Sequence, residues 1–403
     1  MELTVSAIKE IKEKYGEAFY LLDSVQFSKN YTELKKAFSD IYPNFNIAYS
    51  YKTNYTPKLC KIVNDNGGYA EVVSEMELEL ALKIGVNPQS IIWNGPIKQK
   101  SDLEKYLKAG VEVNIDSLEE ANDILEIARQ NPQSTFRIGL RCNYDVGDGV
   151  LSRFGLDVNS EVFASIINKI KQHDNIRLVA LQCHFAKRSL KYWPARAKGM
   201  LAIVDKFSLN LERIDIGGGM FGKMADSLRK QFAEPIPTYT DYAKAAAEVF
   251  AEYYKTSEYK PQLVVEPGSA LVGDCMKFVG TVKTIKNIRG KHIASVMGSQ
   301  KNISMTGINP PMEIIHLGTD AINYENLDFV GFTCIEGDVL YRGYNGPLAH
   351  GDVIVISNCG SYSLVMKPPF ILPNFPVIDI SGEKVELIKH GETFNDIFHT
   401  FVL

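Results

Sequence analysis

Lys52 lies in Tyr49-Ser50-Tyr51-Lys52-Thr53-Asn54, where an apolar run ends. An amine at the end of an apolar run is a candidate nucleophile for a carbonyl, because desolvation lowers the pKa of its ammonium. A solvated surface lysine has the same local sequence. His184 follows Leu181-Gln182-Cys183 and is either a packing residue or a ring presented to a ligand. The stretch Asp215-Ile216-Gly217-Gly218-Gly219-Met220 exposes backbone N–H groups that could cradle a phosphate. With Gly222 it also fits G-x-G-x-x-G, but a dinucleotide site wants that motif in the first βα unit, and here it comes mid-chain. Glu266, in Val265-Glu266-Pro267-Gly268-Ser269, is either a structural cap or an acid facing a protonated ring nitrogen. Farther on, one loop holds the thiol of Cys334 and the acids Glu336 and Asp338, and Gly360-Ser361-Tyr362 places a phenol after a glycine.

These residues need elements to position them. Apolar runs at 46–51, 69–73, 91–93, 111–115, 136–140, 178–181, 213–216 and 262–265 read as strands, with helical patterns between them at 74–84, 101–109, 118–128 and 239–254. Alternation of continuous apolar strands with helices predicts a parallel sheet. Eight units in roughly 250 residues predict an α/β fold, a (β/α)8 TIM barrel. Beyond residue 273 the pattern changes to strands at 277–282, 294–297, 353–356 and 384–388, with frequent Gly and Pro, which predicts a mostly antiparallel β-domain. The expected division is an N-terminal segment (1–27) packing with the β-domain, a barrel (28–273) and the β-domain (274–403). In such a barrel the site lies at the C-terminal strand ends. Lys52, His184, the three glycines and Glu266 all fall there, in the combination pyridoxal phosphate requires: an amine for the aldehyde, a flat partner for the ring, N–H donors for the phosphate and an acid for the ring nitrogen.

Composition narrows the class further. In 403 residues, 45% hydrophobic and 23% charged, the balance is that of a globular protein and not a disordered tail. A net charge of −4 with scattered Lys and Arg gives no footprint for nucleic acid. No apolar run approaches the roughly 18 residues of a membrane span. The N-terminus reads as an amphipathic helix and not as a signal peptide, so a cytoplasmic location is expected. The six cysteines are spread without C-x-x-C pairs or metal-type spacing, so reduced thiols and no metal are expected.

Read together, these motifs resemble, in order and along the whole chain, the fold-type III pyridoxal-phosphate decarboxylases: the diaminopimelate, ornithine and biosynthetic arginine decarboxylases, with alanine racemase as a more distant relative. The stretch 49–54 resembles the family's Schiff-base lysine motif. Gly68 to Ser74 with Glu77-Leu78 resembles the stretch after strand two, and Ser152-Arg153-Phe154-Gly155 its Ser-Lys-Phe-Gly segment. The resemblance implies that Lys52 carries the cofactor, His184 stacks on its ring and Gly217, Gly218 and Gly219 bind its phosphate. It further implies that Glu266, in Glu266-Pro267-Gly268, pairs with the ring nitrogen, that Gly268 is also a cofactor-binding residue, that Tyr362 touches the phosphate and that Arg141 lies near the ring oxygen. Catalytic roles are implied for Lys52, His184 and Cys334. The Cys334 loop is lent across a dimer interface in the family, so a homodimer with shared sites is implied, in which barrel and β-domain residues serve one site.

Departures from the family pattern bear on the substrate. Ile335 stands where diaminopimelate decarboxylases carry a Glu after the loop Cys, Asn309-Pro310 replaces an Arg-Pro, and Ser269 follows Glu266-Pro267-Gly268 in place of an Arg. Ala186-Lys187-Arg188 replaces a Gly-Ser after the histidine. Lost charge grips discriminate against a substrate that needs them. The expected reaction is removal of the α-carboxylate of a small-molecule amino acid. An acidic or carrier-attached substrate is suggested by Lys187 and Arg188, and Asp338, Glu336, Asn309 and Lys187 are the candidate substrate contacts. The alternatives are a racemase of the same fold type, which would consume optical activity without releasing CO2, and a catalytically dead homologue that binds a partner.

Overall fold

The computed structural model describes residues 3–304 and 308–402. Its residues group into two units: one holds Asn30–Phe221 and Pro237–Ala270, the other the residues through Lys29, Gly222–Ile236 and Leu271–Leu403.

The first unit is a closed barrel of eight parallel strands: β1 (Phe45–Ser50), β2 (Tyr69–Val72), β3 (Ile91–Trp93), β4 (Glu112–Ile115), β5 (Phe136–Asn143), β6 (Ile176–Gln182), β7 (Arg213–Asp215) and β8 (Gln262–Val265). Neighbours pair in chain order. β8 pairs with β1 through Leu263↔Phe45, and β4 with β5 through Val113↔Ile138. All eight lie where continuous apolar runs predict them. They run continuously apolar because both faces are covered; every residue of β1 is buried. The helices between them follow from spacing and caps. Leu118–Gln130, for example, buries Ala121, Ile124, Leu125 and Ala128 on one face, and the Ser117 hydroxyl caps it by accepting the Glu120 N–H at 3.2 Å. Residues 222–236, within the expected 28–273 barrel, group with the second unit, and no periodic apolar pattern marks that stretch.

The second unit is mostly antiparallel. Met276–Ile288 is its central strand and pairs antiparallel with Ala18–Leu22, Lys291–Val296 and Val353–Ile356. Ala18–Leu22 and Ile322–Val330 each add one parallel pairing, to Val377–Asp379 and Lys291–Val296. The helix Val5–Tyr15 closes one face: Ile8 and Ile11 pack with Phe19, Leu21, Val279, Val355 and Ile378. Ala18–Leu22, Met312–Ile315, Ile322–Val330 and Val339–Leu348 are strands that periodicity missed. The last two carry repeated register shifts and many exposed residues, which erase a clean alternation. Among the described residues no helix is long and apolar enough to cross a membrane.

Candidate active site

At the C-terminal end of β1 the chain turns through a short 3-10 segment, Tyr51–Thr53, pinned by the Tyr49 hydroxyl donating to the Asn54 carbonyl at 2.8 Å. Lys52 sits in this turn with its side chain 34% exposed and its ammonium against the Glu71 carboxylate of β2. Burial disfavours that ammonium, but Glu71 and Glu266 outweigh it and hold its pKa above the ordinary value. This corrects the expectation that desolvation lowers it: the barrel supplies carboxylates that the local sequence around Lys52 does not reveal.

A chain of polar side chains crosses the barrel from Lys52. Asn94, just past β3, donates to Glu71 at 3.0 Å and to Glu266 at 2.6 Å. Asn114 of β4 donates to the Asn94 oxygen at 2.7 Å. Gln182, the last residue of β6, donates to both Glu266 oxygens at 3.1 and 3.2 Å. All are buried. Glu266 is 3% exposed. Burial alone would push its pKa up, but the His184 ring, Lys52 and Arg141 bring it down to about 2. Its buried neighbour Asp215 moves the other way, well above the carboxylate range, through burial and the Glu266 charge. The opposite directions favour the negative charge on Glu266 over Asp215.

His184 is one-third exposed. Its Nδ1 lies 3.1 Å from the Gly218 nitrogen, whose N–H points at it, and 3.7 Å from the Glu266 carboxylate. The glycines have divided duties, which corrects the expectation that all three offer free N–H groups. The Gly217 N–H donates to Asp215 at 2.8 Å and the Gly218 N–H to His184. Among the described residues only the Gly219 N–H of the three is accepted by no protein group. The first two must be glycine for packing: a Cβ on Gly217 would stand 2.2 Å from the Cys183 carbonyl, and one on Gly218 2.2 Å from the Glu266 carbonyl. Gly268 is likewise a packing glycine, since its Cβ would meet Thr53 Oγ1 at 2.0 Å. Arg141, at the end of β5, pairs with Asp116 at 3.4 Å and lies over the Phe154 ring. Lys187 is exposed, and Arg188 stacks on Phe221 at 5.3 Å.

In the second unit, Cys334 and Glu336 are exposed and Tyr362 is half-buried with φ +61°. Two expected substrate contacts are committed elsewhere. Asp338 is buried and accepts hydrogen bonds from Ser299 Oγ, the Gln300 N–H and Thr333 Oγ1 at 3.0, 2.8 and 2.6 Å, so its carboxylate orders its own loop. The Asn309 amide bonds both the N–H and the carbonyl of Arg342, each at 2.9 Å. Sequence reasoning also left Glu71, Asn94, Asn114, Gln182, Asp215 and Arg196 without roles. For the first five the available signal was a polar residue in or just past an otherwise apolar strand; Arg196, on the helix Trp193–Phe207, carried no such signal.

The arrangement tests directly against pyridoxal phosphate. A partly exposed primary amine, a buried carboxylate fixed as an anion and an unengaged glycine N–H stand at the ends of β1, β8 and β7. They suit an aldehyde, a protonated ring nitrogen and a phosphate, so the residues fit the cofactor. A (β/α)8 barrel with this constellation is an enzyme built around a carbonyl cofactor. The chain belongs to the family described as pyridoxal-dependent decarboxylase, pyridoxal binding domain, whose model matches residues 26–273. By that membership it is a pyridoxal-phosphate-dependent amino-acid decarboxylase. It is similar to the diaminopimelate decarboxylases of Archaeoglobus fulgidus (28% identical, covering 98% of this chain and 96% of the relative) and Methanothermobacter thermautotrophicus (26%, covering 96% and 92%). Its fold is that of the diaminopimelate decarboxylase crystal structure from M. jannaschii (TM-score 0.86, 24% identity, 98% of this chain and 94% of that one). The Paramecium bursaria Chlorella virus arginine decarboxylase shares the fold more distantly (TM-score 0.74, 20% identity, 94% and 100%).

Proposed function

We propose that the chain removes the α-carboxylate of an amino acid at a site where Lys52 would hold the cofactor, and that its preferred substrate is not diaminopimelate but an acidic or carrier-attached amino acid. The observation that carries the reaction is the buried Glu266 carboxylate, hydrogen-bonded by Asn94 and Gln182, with the His184 ring 3.7 Å away, in the same strand-end site as Lys52. Pyridoxal phosphate bound there supplies an aldehyde for an amine and a protonated ring that draws electrons from the bond to the departing carboxylate. Lys52 must lose a proton before it attacks a carbonyl, and the Glu71 carboxylate in contact with it is the acceptor. Glu266 keeps a negative charge for the ring nitrogen. His184 offers the flat face for the ring. Two groups serve as candidates for returning a proton to the substrate carbon: Lys52 and the exposed Cys334 thiol, which we assign to a neighbouring subunit's site in a homodimer.

The substrate proposal rests on Lys187 and Arg188 after β6 and on Ile335, which is exposed where a diaminopimelate decarboxylase would carry an acid. The experiment is a CO2-release screen of diaminopimelate, dicarboxylic amino acids and carrier-bound acyl substrates, with cofactor absorbance followed in parallel. Lys52→Ala is expected to lose the cofactor band and the CO2. A wild-type protein that shows no band with cofactor would end the reaction proposal. Diaminopimelate outperforming every other substrate, with Lys187→Ala and Arg188→Ala unchanged, would end the substrate proposal.

A further inference from the structure

The helix Trp193–Phe207 follows β6 and reaches the glycine turn through Arg196. From its first turns it sends Arg196 inward, and the side chain is 0% exposed. The guanidinium donates to three backbone carbonyls: Gly218 and Lys187, each at 2.7 Å, and Phe185 at 3.3 Å. It also lies over the Trp193 and Phe185 rings, at 4.5 and 5.6 Å. What it lacks is a counter-ion. Among the described residues no carboxylate stands within ion-pair distance of it, and its Nε–H has no acceptor. A buried cation satisfied only by neutral groups is costly, and buried charges are ordinarily paired.

The bond to the Gly218 carbonyl has a directional consequence. The carbonyl of Gly218 and the N–H of Gly219 belong to one peptide unit, which is trans like every other peptide described. In a trans peptide the two groups point in opposite directions. Arg196 therefore holds the carbonyl on its own side and turns the Gly219 N–H to the other. That N–H is the one in the glycine run that no protein group accepts. Drawing charge onto the carbonyl oxygen also makes the N–H a stronger donor.

We infer that Arg196 is a positioning residue for the cofactor phosphate: it aims and polarises the Gly218–Gly219 peptide at the phosphate, whose negative charge balances its own through that peptide. The inference rests on the cofactor reading above and adds a residue to it. It also gives the chain a buried cation behind the phosphate loop where Ser269 offers none beside it.

The test separates phosphate recognition from folding. Apo-protein is titrated with pyridoxal 5'-phosphate and with pyridoxal, which has the same aldehyde and ring but no phosphate, for wild type, Arg196→Met and Arg196→Lys. Melting temperature is measured with and without inorganic phosphate. For Arg196→Met the affinity for the phosphorylated form should fall roughly 10- to 100-fold, the loss expected of one hydrogen bond to a charged group. Affinity for pyridoxal should change little, and inorganic phosphate should stabilise wild type but not the variant. Arg196→Lys keeps the charge and loses the fork, so it should lose less, and it carries the test if the Met variant does not fold. Equal weakening of both forms, or of neither, would overturn the role of Arg196 and leave the cofactor reading standing. Wild type binding neither form would overturn the cofactor reading itself.

Discussion

At the scale of single residues, the barrel separates charge by burial and pairing. His184, Lys52 and Arg141 hold the Glu266 pKa well below the ordinary carboxylate value in spite of its burial, which favours the charged form near neutral pH. Glu266→Gln keeps the shape and removes that charge. It should still bind cofactor but lower kcat by about 100- to 1,000-fold, the usual loss for one preorganised electrostatic partner; steady-state CO2 release checks it. Glu77 behaves in the opposite way. It is buried, its carboxylate accepts the Val73 N–H at 2.8 Å, and burial, reinforced by Glu71, raises its pKa to about 7. The folded chain then holds that proton more tightly than the unfolded one does. The stability it contributes is full below about pH 4.5 and is lost as pH rises through about 7. Glu77→Gln removes that slope. Its melting temperature relative to wild type should rise more at pH 8 than at pH 5, with at most about 3 kcal/mol involved. An equal change at both pH values would show that Glu77 does not titrate there. Lys52, His184 and Glu266 were legible as strand-end residues. Glu71, Asn94 and Gln182 were not, because one polar residue in an apolar run does not say which distant strand it faces.

At the scale of elements, the ends of β6, β7 and β8 come so close that side chains are excluded between them. Gly218→Ala would force a Cβ against the Glu266 carbonyl, a backbone atom that cannot swing away. It should cost about 1–3 kcal/mol by overpacking and shift the carboxylate beside it. Thermal unfolding of the apo-protein reads the first effect and the cofactor absorbance reads the second. The eight barrel strands were legible because full burial makes them continuously apolar. The second unit was less so: Ile322–Val330 alternates imperfectly and breaks register three times against its partner. The hydrogen bonds of Asp338 and Asn309 were hidden for a related reason. A sequence shows an acid or an amide, but not the backbone groups that it caps.

At the scale of the whole molecule, the homodimer proposal has a direct consequence. Lys52→Ala and Cys334→Ala each remove one contribution to a shared site. If the loop serves the neighbouring subunit, mixing the two inactive variants should restore activity through hybrid dimers that keep one intact site. No recovery after subunit exchange would mean that each chain works with its own thiol.

The cysteines allow that question to be asked without mutagenesis. None of the six forms a disulfide among the described residues; five are buried and only Cys334 is exposed. Access governs which thiol a reagent reaches first. The native protein therefore carries a single chemical address on the loop in question. A dye placed there by one-to-one labelling would report its surroundings as cofactor is added, and a slowing of the labelling reaction would count loops protected per cofactor bound.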